Sequence, residues 1–307
     1  MTAGASSAAA AGAAAHLAVE RSIGSRLRER ASAAALILPG VGWLAVFFLV
    51  PLIIIFVVSL GTNDGRGHVL LTNPGFHNYS QATRPEYVPA FANSLRYALI
   101  TTFLSIGLGY PIAYWISRYG GERKVLLLIL VMLPFWTSYL IRTYAWMTIL
   151  RDNGVLNGIL RSVGLIDEPL VLLNTDISVI LGMTYGFLPF AILPLFVSID
   201  RLDEHLVQAA RDLYASGRSA FLHVTLPLTM PGIIAASILT FIPAMGDYVT
   251  PDLLGGAQTT TIAKIVQVIF TSGRDWPYGS ALAFVLMVIT LGGTLLTLRS
   301  LRRETFA

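Results

Sequence analysis

The sequence predicts an all-α integral membrane protein of six transmembrane helices, and two observations carry that expectation. Of the 307 residues 55% are apolar and only 12% are charged, about half the roughly 25% charge of a soluble domain. Six apolar runs also reach the roughly 20 residues that a helix needs to cross a hydrocarbon core of about 30 Å. The runs are continuous, whereas strands of a membrane β-barrel alternate apolar and polar residues. The absence of Cys excludes disulfides, thiolate metal sites and cysteine nucleophiles.

In chain order, residues 1–33 read as a flexible tail. MTAGASSAAAAGAAA lacks the basic start and Leu-rich core of a cleaved signal peptide. HLAVERSIGSRLRERASA, residues 16–33, fits either a short amphipathic surface helix or a plain basic anchor. Residues 34–303 form the transmembrane domain, with spans at 35–60, 92–117, 125–150, 177–199, 226–250 and 280–298, and 304–307 form the C-terminal end. Pro39, Pro51, Pro111, Pro134, Pro189, Pro194, Pro231 and Pro243 fall in these spans. They fit kinked helices around a cavity or simple close packing. No internal repeat is evident, which counts against an inverted-repeat secondary transporter.

The distribution of cations gives the orientation. Of the 21, all Arg save Lys124 and Lys264, thirteen lie in the N-terminal arm, the 118–124 turn, the 200–225 loop and the C-terminal tail. The alternate segments hold six. Short basic loops stay in the cytoplasm, so a multi-pass protein of the bacterial plasma membrane with both termini cytoplasmic is expected. The net charge of +4 is then a topology signal, and no nucleic-acid partner is implied.

Neither lysine closes a G-x-x-x-x-G-K-[ST] loop, so this chain does not bind ATP in that mode. The five His never stand at i, i+4 beside a Glu, and no Ser has a G-x-S-x-G context. No catalytic site, metal or cofactor is expected, and the energy source is an ion gradient or a partner subunit.

The 200–225 segment is too long and too patterned for a turn. Leu202, Leu206, Ala209, Ala210 and Leu213 recur at helical spacing behind Asp200 or Asp203 as N-cap candidates. Gly217 then allows a break before Phe221, Val224 and Leu226. By composition such a helix fits a groove on another protein or a lipid surface equally well.

The run Gln208-Ala209-Ala210-Arg211-Asp212-Leu213-Tyr214-Ala215-Ser216, with Gly217, Phe221-x-x-Val224-x-Leu226 and Pro227 beyond it, resembles the EAA motif of ATP-binding-cassette (ABC) importer permeases. Gln208 stands where that family has Glu, and Tyr214 where it has Gly. Pro134-Phe135-Trp136-Thr137-Ser138-Tyr139-Leu140-Ile141-Arg142-Thr143-Tyr144-Ala145-Trp146 and Gly246-Asp247-Tyr248-Val249-Thr250-Pro251-Asp252 are similar to the first permease subunit of spermidine/putrescine importers. The likeness spans about 35–303. It implies a six-helix type I importer permease (MetI-like) fold, with 200–225 as the coupling helix docked on an ATPase. It further implies a second permease in a heterodimer, two ATPase copies that hold ATP and Mg, and an extracytoplasmic substrate-binding protein. Permeases for thiamine, iron(III) or amino-acid derivatives share much of the scaffold.

Asp247 sits near the outer end of the fifth span, where an ionisable group is costly and faces a cavity or a partner. A polycation needs such a carboxylate to replace its hydration. An ion pair with Arg142 is the competing role. Trp136, Tyr139, Tyr144, Trp146 and Tyr248 share that depth, as cation–π contacts for an alkylammonium or as an interfacial aromatic belt. A self-sufficient secondary transporter coupled through Asp247 and Arg142 is the rival class. It leaves the 200–225 loop unexplained.

Overall fold

The computed structural model describes residues 37–305. The expected 1–33 tail, and residues 306 and 307 of the C-terminal end, lie outside the described residues. Two compact units meet at Val57 and Val58. Helix α1, Ile37–Ser59, is the described part of the first and enters the second by two residues. Its 23 residues rise about 34 Å and are apolar on every face, as a helix surrounded by lipid requires.

The second unit opens with a short hairpin, β1 (Thr62–Asn63) and β2 (Val69–Leu70), paired antiparallel with Thr62 opposite Leu70. Helix α2 (His77–Ala82) then leads to α3 (Val88–Tyr119), whose internal Pro111 does not interrupt it. Next come α4 (Lys124–Met132), α5 (Tyr139–Leu150), α6 (Val155–Ser162) and α7 (Asp176–Asp200). Helix α7 starts at a reciprocal cap: Thr175 Oγ1 accepts the Ser178 N–H and the Thr175 N–H donates to Ser178 Oγ. Beyond it lie α8 (Glu204–Asp212), α9 (Gly217–Ala220), a π-helical turn Phe221–Thr225, α10 (Leu226–Leu228) and α11 (Met230–Met245). The chain closes with α12 (Val249–Leu253), α13 (Ile262–Thr271) and α14 (Trp276–Thr305).

The core of this unit is α3, α7 and α11. Tyr97 near the start of α3 bonds Asp176 at the start of α7, and Ser117 near the end of α3 bonds Asp200 at the end of α7. The two helices therefore run parallel. Helix α11 runs against them, because Tyr110 meets Thr229 just before it while Tyr97 packs with Met245 at its end. One apolar cluster, of Tyr97, Val179, Met183 and Met245, fills the half nearer Asp176. A second, of Tyr110, Ala191, Ile192, Leu195 and Ala236, fills the half nearer residues 200–225. These halves are the far end and the loop end below.

Among the described residues four spans are uninterrupted: α1, α3, α7 and α14. The expected third span, 125–150, is instead two helices meeting at 83°, because a 3₁₀ turn Leu133–Trp136 containing Pro134 and an extended Thr137 and Ser138 separate α4 from α5. The fifth is also bent, by 62° at Thr229, with Pro227 and Pro231 on either side. It ends at Met245, so 226–250 is not one helix and Asp247 lies in the connection to α12. Pro189 and Pro194 are accommodated inside a continuous α7. Sharp bends thus gather in spans three and five, which carry the site residues.

Candidate functional site

At the loop end, α8 stands on a clamp of charges. Lys124 Nζ meets Asp200 Oδ1 at 2.6 Å, where Ser117 also donates, and Arg118 Nη1 meets Glu204 Oε1 at 2.6 Å. The same guanidinium donates to the carbonyls of Ile199 and Leu202. Each partly exposed pair is worth little alone, but together they fix where α8 begins. Asp203 is the N-cap, accepting the His205 N–H at 3.0 Å, whereas Asp200 is the last residue of α7.

Helix α8 ends in a Schellman motif. The Ala215 N–H donates to the Ala210 carbonyl and the Tyr214 N–H to that of Arg211. The motif demands a left-handed residue between them, and Tyr214 supplies it at φ 63°. A non-Gly residue pays roughly 1–2 kcal/mol for this conformation. Tyr214 is the position at which the resemblance places a Gly. The expected break at Gly217 therefore lies three residues earlier, and Gly217 is the first residue of α9, capped by Ser216.

No residue of α8 is buried. Leu206, Ala209 and Leu213 form an exposed apolar stripe flanked by Gln208 and Asp212, also exposed; Leu213 is 81% and Tyr214 99% exposed. Ala210 and Ala215 are half-buried and Pro227 is exposed. Phe221 ties the segment to the bundle, its ring edge-on to Tyr110 at 5.7 Å and Tyr114 at 6.3 Å.

At the far end, Asp247 is 8% exposed and fully engaged. Oδ1 accepts the N–H groups of Val249 and Thr250, at 2.9 and 3.2 Å. Oδ2 accepts the hydroxyls of Tyr139, at 2.7 Å, and Thr250, at 2.6 Å. The carboxylate, which can accept about four bonds, ties α5 to α12. The ion pair with Arg142 is not formed. The Arg142 guanidinium lies over the rings of Phe135, at 4.8 Å, and Tyr139, at 5.6 Å, with Nε and Nη1 buried and unpartnered. Tyr139 stands between the two charges, its face toward the cation and its hydroxyl toward the anion.

The rings form a cluster. Tyr185 packs on Phe135 at 5.2 Å and on Trp146 at 5.4 Å, and Phe187 lies 6.2 Å from Tyr139. Tyr139 and Trp146 belong to it, while Trp136, Tyr144 and Tyr248 are 75%, 49% and 44% exposed. Tyr185 and Phe187 escaped the reading of the sequence, and Phe135 and Thr250 stood in the quoted runs without being singled out. A signal for their meeting place was present in Gly182-Met183-Thr184-Tyr185-Gly186, a small-x-x-x-small pattern that lets helices approach closely. A Cβ at Gly186 would stand 2.9 Å from the Tyr139 ring, and one at Gly182 would strike Leu254 and Thr250.

A multi-span bundle with a clamped, exposed helix between its fourth and fifth spans is the build of a transport permease. The chain belongs to the family of binding-protein-dependent transport system inner membrane components, the permease subunits of ABC importers, which matches residues 87–302. It is 41% identical over 247 residues to the spermidine/putrescine transport system permease protein PotB of Haemophilus influenzae, covering 80% of this chain and 86% of that one. PotB of Escherichia coli is 40% identical over 249 residues, covering 81% and 90%. A probable molybdenum ABC transporter permease of Haloferax volcanii is 30% identical over 217 residues, covering 71% and 77%. Among solved structures, a bacterial ABC transporter involved in import of the acidic polysaccharide alginate superimposes with a TM-score of 0.72 at 18% identity, over 91% of this chain and 99% of that one. The inward-facing MetNI methionine transporter gives 0.55 at 16%, over 71% and 95%. At these identities the likeness is one of fold.

Proposed function

We propose that this chain is one half of the translocation pathway of an ABC importer for polyamines, spermidine and putrescine being the substrates of its 40%-identical relatives. It pairs with a second permease, two ATPase subunits and an extracytoplasmic binding protein. ATP and Mg belong to the ATPases. Both termini face the cytoplasm, which puts the loop end on that side.

One observation carries the mechanism: the stripe Leu206, Ala209 and Leu213 is exposed on a helix held rigidly at both ends. An amphipathic helix with an uncovered apolar face is suited to a groove on a partner. Closure of the ATPases on ATP then pushes α8. The Arg118–Glu204 and Lys124–Asp200 contacts pass the push to α3 and α7, and Phe221 passes it to α3 through Tyr110. Helix α7 carries it about 22 Å, at 1.5 Å per residue, from Asp200 to Tyr185 of the aromatic cluster.

The test is uptake of labelled spermidine by a strain lacking this gene, complemented with it, in the presence of excess putrescine, thiamine or amino acids. Uptake abolished by putrescine alone is expected. Absence of spermidine uptake would overturn the substrate reading.

A further inference from the structure

The Arg142 side chain is held in an unusual way. A guanidinium with buried N–H groups ordinarily meets a carboxylate or carbonyls with them. Here Nε and Nη1 find no acceptor, and the group rests on the faces of Phe135 and Tyr139. Ring faces attract a desolvated cation, an ammonium as well as a guanidinium. Behind Tyr139 the Asp247 carboxylate is hydrogen-bonded but makes no ion pair. Withdrawing Arg142 would therefore leave an aromatic seat beside an uncompensated negative charge.

A further feature bears on the class of cation. Tyr185 packs on Phe135 at the edge of this seat, Trp146 packs edge-on to Tyr185, and both line an apolar cleft of about 580 Å³, with Ile100, Leu104 and Leu108. The seat suits a charged nitrogen and the cleft suits methylene groups. That pairing fits an alkylammonium, and an inorganic cation has no use for the cleft.

We propose that the faces of Phe135 and Tyr139 form a binding seat for one ammonium group of an alkyl polyamine, and that Arg142 is its resident occupant, displaced as substrate passes. This rests on the polyamine reading above and adds a gate to it. With Arg142 seated, the site is closed to stray monovalent cations. A polyamine brings several charges joined by a chain that the cleft can hold, so it competes where a single charge does not.

The test is equilibrium binding of radiolabelled spermidine to the detergent-purified permease–ATPase complex without the binding protein. Arg142→Gln and Arg142→Met, checked for co-purification of all subunits, are expected to bind about tenfold tighter than wild type. Arg142→Lys should keep most of the block, since an ammonium can take the same seat. Equal or weaker binding by the assembled neutral variants overturns the proposal. Phe135→Leu, which keeps bulk and removes the ring face, gives an independent reading through uptake by cells at sub-saturating spermidine. A fall of about tenfold is expected, and unchanged uptake overturns the proposal even where the Arg142 variants fail to assemble. Failure of the polyamine reading itself is separately visible as a wild-type complex, binding protein included, that takes up no polyamine.

Discussion

The two ends of the bundle solve opposite problems. At the loop end the chain leaves an apolar helix face exposed and puts its charges beneath it as a support, so that α8 is held while its stripe faces outward. At the far end it buries a carboxylate, half-buries a guanidinium and satisfies them unequally. Asp247 has all its bonds and Arg142 has none from Nε or Nη1. In the reading proposed above, the loop end is a surface for a partner protein, fixed in backbone and free in side chain. The far end is a pathway for a passing ion, with one group fixed and another weakly held.

The largest effect that would break this contrast is at the loop end. Ala210→Glu places a long anion beside the exposed stripe and also disturbs the Schellman turn. Uptake is expected to fall at least a hundredfold, about 2.7 kcal/mol of coupling, with the permease still in the membrane. Wild-type uptake would remove the docking role.

Next comes the far-end knot. Asp247→Asn replaces a fourfold acceptor by a group that must donate toward the Tyr139 and Thr250 hydroxyls or the α12 amides. Hydrogen bonds to a charged group are worth about 1.5–3 kcal/mol each, so a loss of about 3 kcal/mol is expected in the thermal stability of the purified protein. An unchanged melting temperature with lost uptake would make Asp247 a substrate ligand rather than a tie. Smaller is Gly186→Ala, which presses a methyl group against the Tyr139 ring. Overpacking of this kind costs about 1–3 kcal/mol, and the loss should vanish when Tyr139 is also made Leu. The smallest effect has the opposite sign. Tyr214→Gly relieves the left-handed strain at φ 63° and should stabilise the α8 turn by up to about 1 kcal/mol, seen as slower hydrogen exchange at Ala215.

What could be read from the sequence was what is local. Spans α1, α3, α7 and α14 follow from length and hydropathy. Asp203 and the 202–213 spacing give α8 and its exposed stripe. The break after α8 was misplaced because Gly217 is the permissive residue, whereas the conformation is dictated by bonds to the Ala210 and Arg211 carbonyls that a Tyr has to satisfy. The prolines allowed kinks without telling which would bend: Pro111, Pro189 and Pro194 lie in continuous helices, while spans three and five break near Pro134 and Pro231. Each break depends on which neighbour receives the broken segment: Gly182 and Gly186 of α7 make room for α12 and Tyr139. Asp247 and Arg142 were correctly brought near each other, but opposite charge suggested a direct pair. Two amides and two hydroxyls satisfy Asp247, while Arg142 rests on two ring faces with Nε and Nη1 unpartnered.

The central claim is that α8 is covered by an ATPase subunit, and the chain's lack of Cys allows a direct measurement. Leu213→Cys introduces a single thiol at a position 81% exposed in this chain. In membranes holding the assembled importer, that thiol should resist maleimide labelling and form a crosslink to the ATPase, and it should label fully when the ATPase is absent. Equal labelling with and without the ATPase would contradict the account.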